Sequence, residues 1–261
     1  MKRPSLGAIV LVLLLAHPAR AHYNMLLPDA ASVKRGQVIG VTYQWGHPFE
    51  HQLFDAPAPA EFSVFFPAGS KRNLTSALEK MTVVGEQKQV RAYRTQFRAS
   101  ERGDYVFLLQ TPPIWMEEDH EFLLDTVKVT LHVQIQRGWD RPVGAALEMV
   151  PLTRPYGLEP GMVFQAQALA GGKGLAGALV EVEHYHAAPP KDLPPDEQIT
   201  RTAKTDPNGV VACTLAAPGW WAITVQTDGG KAKHEGAEFP VRRRSTLWVF
   251  VDDRLSGKSF P

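Results

Sequence analysis

Val127-Lys128-Val129-Thr130-Leu131-His132-Val133-Gln134-Ile135 alternates without a break. Val127, Val129, Leu131, Val133 and Ile135 fall on one side, and Lys128, Thr130, His132 and Gln134 on the other. A period of two belongs to an extended chain, so the stretch predicts an antiparallel strand with one face on a core and one in water. His132 lies on the face expected to be wet. Upstream, Ile39, Val41, Tyr43 and Trp45 make a similar apolar face, and segments 61–66, 90–97 and 104–110 also read as strands. Residues 71–80, with Leu74, Ala77 and Leu78, suit a short helical turn. These elements predict one sandwich from His22 to about Gln136.

Glycines and prolines then cluster: Gly138, Pro142, Gly144, Pro151, Pro155, Gly157, Pro160 and Gly161. A domain junction is expected there, near residue 145, dividing the chain into 22–145 and 146–261. In the second part, Gly174-Leu175-Ala176-Gly177-Ala178-Leu179-Val180-Glu181-Val182 leads to Thr205-Asp206-Pro207-Asn208-Gly209, and then to Pro218-Gly219-Trp220-Trp221. Asp-Pro-Asn-Gly is a turn, because Pro fixes φ and Asn-Gly accepts positive φ. This order resembles the transthyretin-like, carboxypeptidase-regulatory-like and Cna-B-like domains of secreted proteins. Leu247 to Val251 is its expected last strand. Trp248 and Phe250 make that strand's second face apolar too, so the face should meet the first sandwich. The fold expected is all-β, with two Ig-like or transthyretin-like antiparallel sandwiches.

The first residues read as an export signal. Met1-Lys2-Arg3 is basic, Leu6 to Ala16 is apolar, and Ala19-Arg20-Ala21 is a small-x-small cleavage site. The apolar run is shorter than the roughly 20 residues a membrane span needs. Residues 1–21 are therefore expected to leave as a signal peptide, giving a periplasmic or otherwise exported chain that begins with His22 and has no transmembrane anchor. The 28 basic and 27 acidic residues of the whole chain become 25 and 27. A near-neutral chain without a basic cluster argues against nucleic-acid binding. Arg242-Arg243-Arg244 reads as a solvated strand edge. The single cysteine, Cys213, allows no internal disulfide, so stability must come from burial. It reads as a core filler, or else as a soft-metal ligand.

Four groups of residues could carry chemistry. The α-amine and imidazole of His22 can chelate one transition metal; alternatively His22 is an exposed end. Gly46-His47-Pro48-Phe49-Glu50-His51 follows a strand. With Pro48 opening a helical turn, His47 and His51 would share a face as metal ligands, with Glu50 orienting an imidazole. The other reading is a polar loop whose Phe49 plugs the core. Trp115-Met116-Glu117-Glu118-Asp119-His120-Glu121 is a cation candidate or a solvated acidic loop. His184 and His186 alternate onto the face of Val180 and Val182, as a rim site or as the core's edge. Enzyme signatures are absent: the sequence has no Gly-x-Ser-x-Gly, no phosphate-binding glycine loop, no His-Glu-x-x-His and no cysteine placed as a nucleophile. A non-enzymatic role is expected.

Taken together, Ala21-His22, Met25-Leu26-Leu27-Pro28 and Gly46-His47-Pro48-Phe49-Glu50-His51 resemble the start of the DUF4198 family. Gly103-Asp104-Tyr105, Pro113-Ile114-Trp115-Met116-Glu117-Glu118, Pro155-Tyr156-Gly157-Leu158-Glu159-Pro160-Gly161 and Thr205-Asp206-Pro207-Asn208-Gly209 extend the likeness over nearly the whole mature chain. The resemblance implies two sandwiches and a NikM-like periplasmic component of nickel or cobalt uptake. Its ligand would be a divalent metal ion, Ni or Co first and Cu or Zn next, and its partner a membrane metal permease met peripherally. The expected metal ligands are His22, His47 and His51, then Glu50 and His120, with His184 and His186 as a second site. Two other roles are compatible with the residues. One is an adhesion, carbohydrate- or protein-binding module; the other is a copper oxidase built on an N-terminal histidine brace.

Overall fold

The strand read first runs Glu121–Val133 and lies inside the largest sheet. A computed structural model describes residues 22–85 and 88–253; the expected signal peptide, residues 1–21, lies outside the described residues. Val127, Val129, Leu131 and Val133 are fully buried, as the alternation predicts, whereas Ile135, read on the same face, falls beyond the strand's end and is 43% exposed. The opposite face is not wet. Lys128 and Thr130 are only 1% and 3% exposed, because the Leu147–Pro151 strand comes back over that face. Lys128 meets Glu148 in a buried ion pair, and Glu148 also accepts from Val143 N at 2.7 Å and Gly144 N at 2.9 Å. Such a pair is tolerable in a core only with its hydrogen bonds satisfied in this way.

The described residues are almost all β, in three sheets, with one short helix at Asp196–Ile199. Five strands form an outer sheet on one side: Tyr23–Pro28, Val38–His47, Gln52–Phe54, Glu79–Val84 and Gln89–Arg98. A ten-stranded sheet runs through the middle and includes Glu61–Phe65, Gly103–Gln110, Glu121–Val133, Leu179–His184, Gly219–His234 and Ala237–Val251. Four strands, Leu147–Pro151, Val163–Ala170, Lys173–Gly174 and Val210–Thr214, form the third sheet. Within 71–80 the helical turn is a single 3-10 turn, Thr75–Ala77.

The central sheet continues from one half of the chain into the other. Ala237–Val251 lies parallel to Glu121–Val133, with Phe122 opposite Val241 and Val129 opposite Trp248. Its two faces serve two cores. Leu247, Val249 and Val251 join Phe164, Val180 and Val211 in the second core. Trp248 and Phe250 turn to the first core, with Tyr23, Tyr43 and Val129, the placement their apolar character predicts. The same register overturns the reading of Arg242–Arg244 as a solvated edge. Arg244 stands opposite Asp125, is 5% exposed, and donates Nε to Oδ1 at 2.8 Å. Arg242 reaches Glu121.

Candidate metal centre

Pairing register brings the first two candidate ligands together. Tyr23–Pro28 is buried along its whole length and runs antiparallel to Val38–His47, with Tyr23 opposite Gly46. The next pair out sets His22 beside His47. A buried network pins the strand in place. Tyr43 OH donates to Asn24 Oδ1 at 2.7 Å, Asn24 Nδ2 donates to Asp125, and Trp248 Nε1 donates to Asn24 O at 3.0 Å. The His22 and His47 rings lie 4.5 Å apart between centroids, at 64°. Trp45 stands 5.2 Å from His22, and Phe54 stands 5.2 Å from His22 and 5.5 Å from His47. His47 is 4% exposed, whereas His22 keeps partial access to solvent. Two imidazoles holding one ion at about 2.0–2.1 Å in neighbouring positions have ring centres roughly 4.5–5 Å apart. The spacing therefore fits a shared ion, and the α-amine of a chain beginning at His22 would be a third nitrogen.

His51 does not join this pair. The segment after His47 is a tight hairpin, in which His47 faces Gln52 in the returning strand, and not the helical turn expected from the i, i+4 spacing. His51 has φ 54°, a left-handed value that breaks a helical repeat. Its Nδ1 lies 2.8 Å from the His186 carbonyl, to which it donates. Burial lowers its pKa. Gly46 makes so tight a hairpin possible: a Cβ there would lie 2.0 Å from Gln52 O.

A second group of histidines sits across the hairpin. His186 takes its backbone N–H to Pro48 O at 2.9 Å and its Nδ1 to Phe49 O at 2.7 Å. His184 Nδ1 lies 3.1 Å from His186 Nε2, and His184 Nε2 lies 2.8 Å from Pro218 O. Beneath them Glu183 is 2% exposed and accepts from Phe49 N at 3.2 Å and Thr200 Oγ1 at 2.7 Å. Burial pushes its carboxyl up to about 8, with Glu50 adding to the rise. Glu50 is half-buried, and its charge bears on Glu183; the rings of His51 and His186 are oriented by main-chain carbonyls instead.

The acidic loop lies elsewhere. His120 is exposed, at φ 51°, and faces Trp115, which stacks on His234 and meets Phe239 at the tip of the Gly219–His234 and Ala237–Val251 hairpin. From Trp248, near Asn24, to Val241, near Phe122, is about seven residues, or roughly 23 Å of strand. His120 therefore stands far from His22 and His47. His132 is not simply solvated. Its Nδ1 lies 2.8 Å from buried Asp104, and its ring stacks on Tyr156 at 4.1 Å. Burial raises the Cys213 thiol to about 11, as suits a core filler. Among the described residues no three His, Cys, Asp or Glu side chains gather as a metal cluster; the candidate centre is a histidine pair walled by aromatics.

Residue pattern alone did not point to Phe54 or Trp221 as parts of these sites. Phe54 becomes a wall only through the hairpin register, and Trp221 meets His184 at 4.6 Å only across paired strands. The available signal was the density of aromatics beside histidines.

No curated protein matches the chain significantly. Among solved structures, Salmonella alpha-2-macroglobulin reacted with methylamine aligns at TM-score 0.29 and 15% identity, covering 89% of this chain and 15% of that one. A DUF4785 family protein from Legionella pneumophila aligns at TM-score 0.28 and 10% identity, covering 78% and 52%. The Yersinia pseudotuberculosis adhesin InvE aligns at TM-score 0.20 and 13% identity, covering 86% and 58%. The chain thus spans only about 15% of the macroglobulin's length, and likenesses this weak say nothing about its residues. Among the described residues no helix is long and apolar enough to cross a membrane. Over residues 19–229 the sequence matches a family described as a domain of unknown function, and on that match the chain belongs to the DUF4198 family.

Proposed function

We propose that the protein is a periplasmic, non-enzymatic binder of a divalent transition metal, Ni or Co, that serves uptake through a membrane permease. The ion is held by the α-amine and imidazole of His22 and by the imidazole of His47. The observation that carries this reading is the 4.5 Å approach of the two rings inside the Trp45 and Phe54 walls. Neutral imidazole and amine nitrogens suit Ni, Co, Cu and Zn, and affinity order favours Cu at such a site. The site depends on cleavage after Ala21, since a residue retained before His22 turns the amine into an amide. Titration of the processed protein with Ni2+ and Co2+ tests it. A form that keeps Ala21 should lose at least ~100-fold in affinity for this site, and His47→Ala a similar amount. Equal binding by the processed and extended forms would sink the reading.

The same three nitrogens are the donors of a histidine brace, so a copper oxidase is the second reading. Peroxide-dependent oxidation by the copper-loaded processed protein, lost in His47→Ala, would favour it. A binding module would be favoured by an exposed row of Trp and Tyr. Among the described residues these side chains are buried or half-buried.

A further inference from the structure

His184 and His186 form a pair whose protons can be counted. His184 Nε2 faces Pro218 O at 2.8 Å. A carbonyl only accepts, so this nitrogen carries the hydrogen, and in the neutral ring Nδ1 keeps its lone pair. His186 Nδ1 faces Phe49 O at 2.7 Å, so it carries the hydrogen and Nε2 keeps the lone pair. These two lone pairs point at each other across 3.1 Å. Neutral rings in this arrangement repel, and the gap calls for an electrophile.

We propose that His184 Nδ1 and His186 Nε2 chelate a divalent transition ion such as Cu2+, Ni2+ or Zn2+, at a second site separate from the His22–His47 pair. Three features built into the fold support the assignment. Two nitrogens bound to one ion at about 2.0–2.1 Å in neighbouring positions stand roughly 3 Å apart, the separation seen here. Each ring donates its other nitrogen's hydrogen to a main-chain carbonyl, the outer contact that fixes the tautomer and aim of a metal-binding histidine. Both rings are half-buried, so an ion has access from solvent. The rings are also held from behind. His184 packs on Trp221 at 4.6 Å and His186 on Phe49 at 4.4 Å. Gly219 leaves room for His184, because a Cβ there would lie 3.0 Å from Nε2. Imidazole nitrogens select borderline ions over Ca2+ or Mg2+. The site lies where the 46–54 hairpin meets the segment that follows the Leu179–His184 strand, through the His186 bonds to Pro48 O and Phe49 O.

The test uses protein that retains Ala21 and carries His22→Ala and His47→Ala, so that the first site has lost its amine chelate and both its imidazoles. Titration with Cu2+ and Ni2+ should give one equivalent, with nitrogen hyperfine structure from two imidazoles in the Cu2+ electron paramagnetic resonance spectrum. His184→Ala and His186→Ala should each weaken binding at least tenfold. Gly219→Ala, which changes no ligand, should weaken it too by crowding His184. If the His184 and His186 variants fail to fold, Zn2+ added to the unaltered chain should shift the imidazole 15N resonances of His184 and His186. The proposal is overturned if the Ala21-retaining double variant binds neither metal. It is equally overturned if the His184 and His186 variants both bind unchanged, or if the two rings share a single proton that Zn2+ does not displace. The first site is scored separately, by whether the processed protein binds one equivalent more than the extended one.

Discussion

At the residue scale, Gly46 decides whether the candidate centre can exist. Its φ is 150°, and Gln52 O occupies the space a side chain would need. Gly46→Ala should destabilise the fold by roughly 2–4 kcal/mol, through strain at a conformation other residues rarely adopt and a clash with main chain. A urea unfolding curve with an unchanged midpoint would count against this. Metal affinity in the variant should fall as well, because the hairpin places both His47 and Phe54.

At the element scale, the Glu121–Val133 strand shows what polarity in a sequence does and does not report. Its apolar face was legible from alternation alone, as were the strands around it and the second core's turn at Thr205–Gly209. Its polar face was misread because the cover comes from Leu147–Pro151, beyond the end of the strand, and brings Glu148 to Lys128. A lysine looks the same in sequence whether its partner is water or a buried carboxylate. The histidines divide in the same way. His22 and His47 meet because strand register, which alternation constrains, carries them there. His51 leaves because one left-handed residue redirects it, and no spacing rule anticipates that. His184 and His186 share a face as a strand predicts, but their carbonyl anchors come from Phe49 and Pro218, far away in sequence. The buried pair gives an element-scale prediction. Glu148→Ala should cost about 3–5 kcal/mol by stranding Lys128, whereas joint replacement by Lys128→Met and Glu148→Leu should cost less than the sum of the single changes. A double-mutant cycle in urea measures both, and strict additivity would show that the pair does not act as a unit.

At the scale of the whole molecule, the shared sheet makes the two halves interdependent. The first core includes Trp220, Ala222 and Trp248 from the second half. A fragment limited to residues 22–145 lacks them, and should show neither sharp near-ultraviolet dichroism nor dispersed amide resonances. The intact chain should unfold in one transition by fluorescence and far-ultraviolet dichroism alike. Two separated transitions would mean that the halves stand independently.

The bond from Trp248 to Asn24 spans 224 positions of sequence. Chains are made from the amino end, and a unit can fold during synthesis only once all its parts have emerged. Here the strand that carries the candidate centre waits for a tryptophan that emerges late. Until Trp248 has emerged, the first core lacks the indole that closes over Asn24, so its native packing cannot be completed by the strands that precede it.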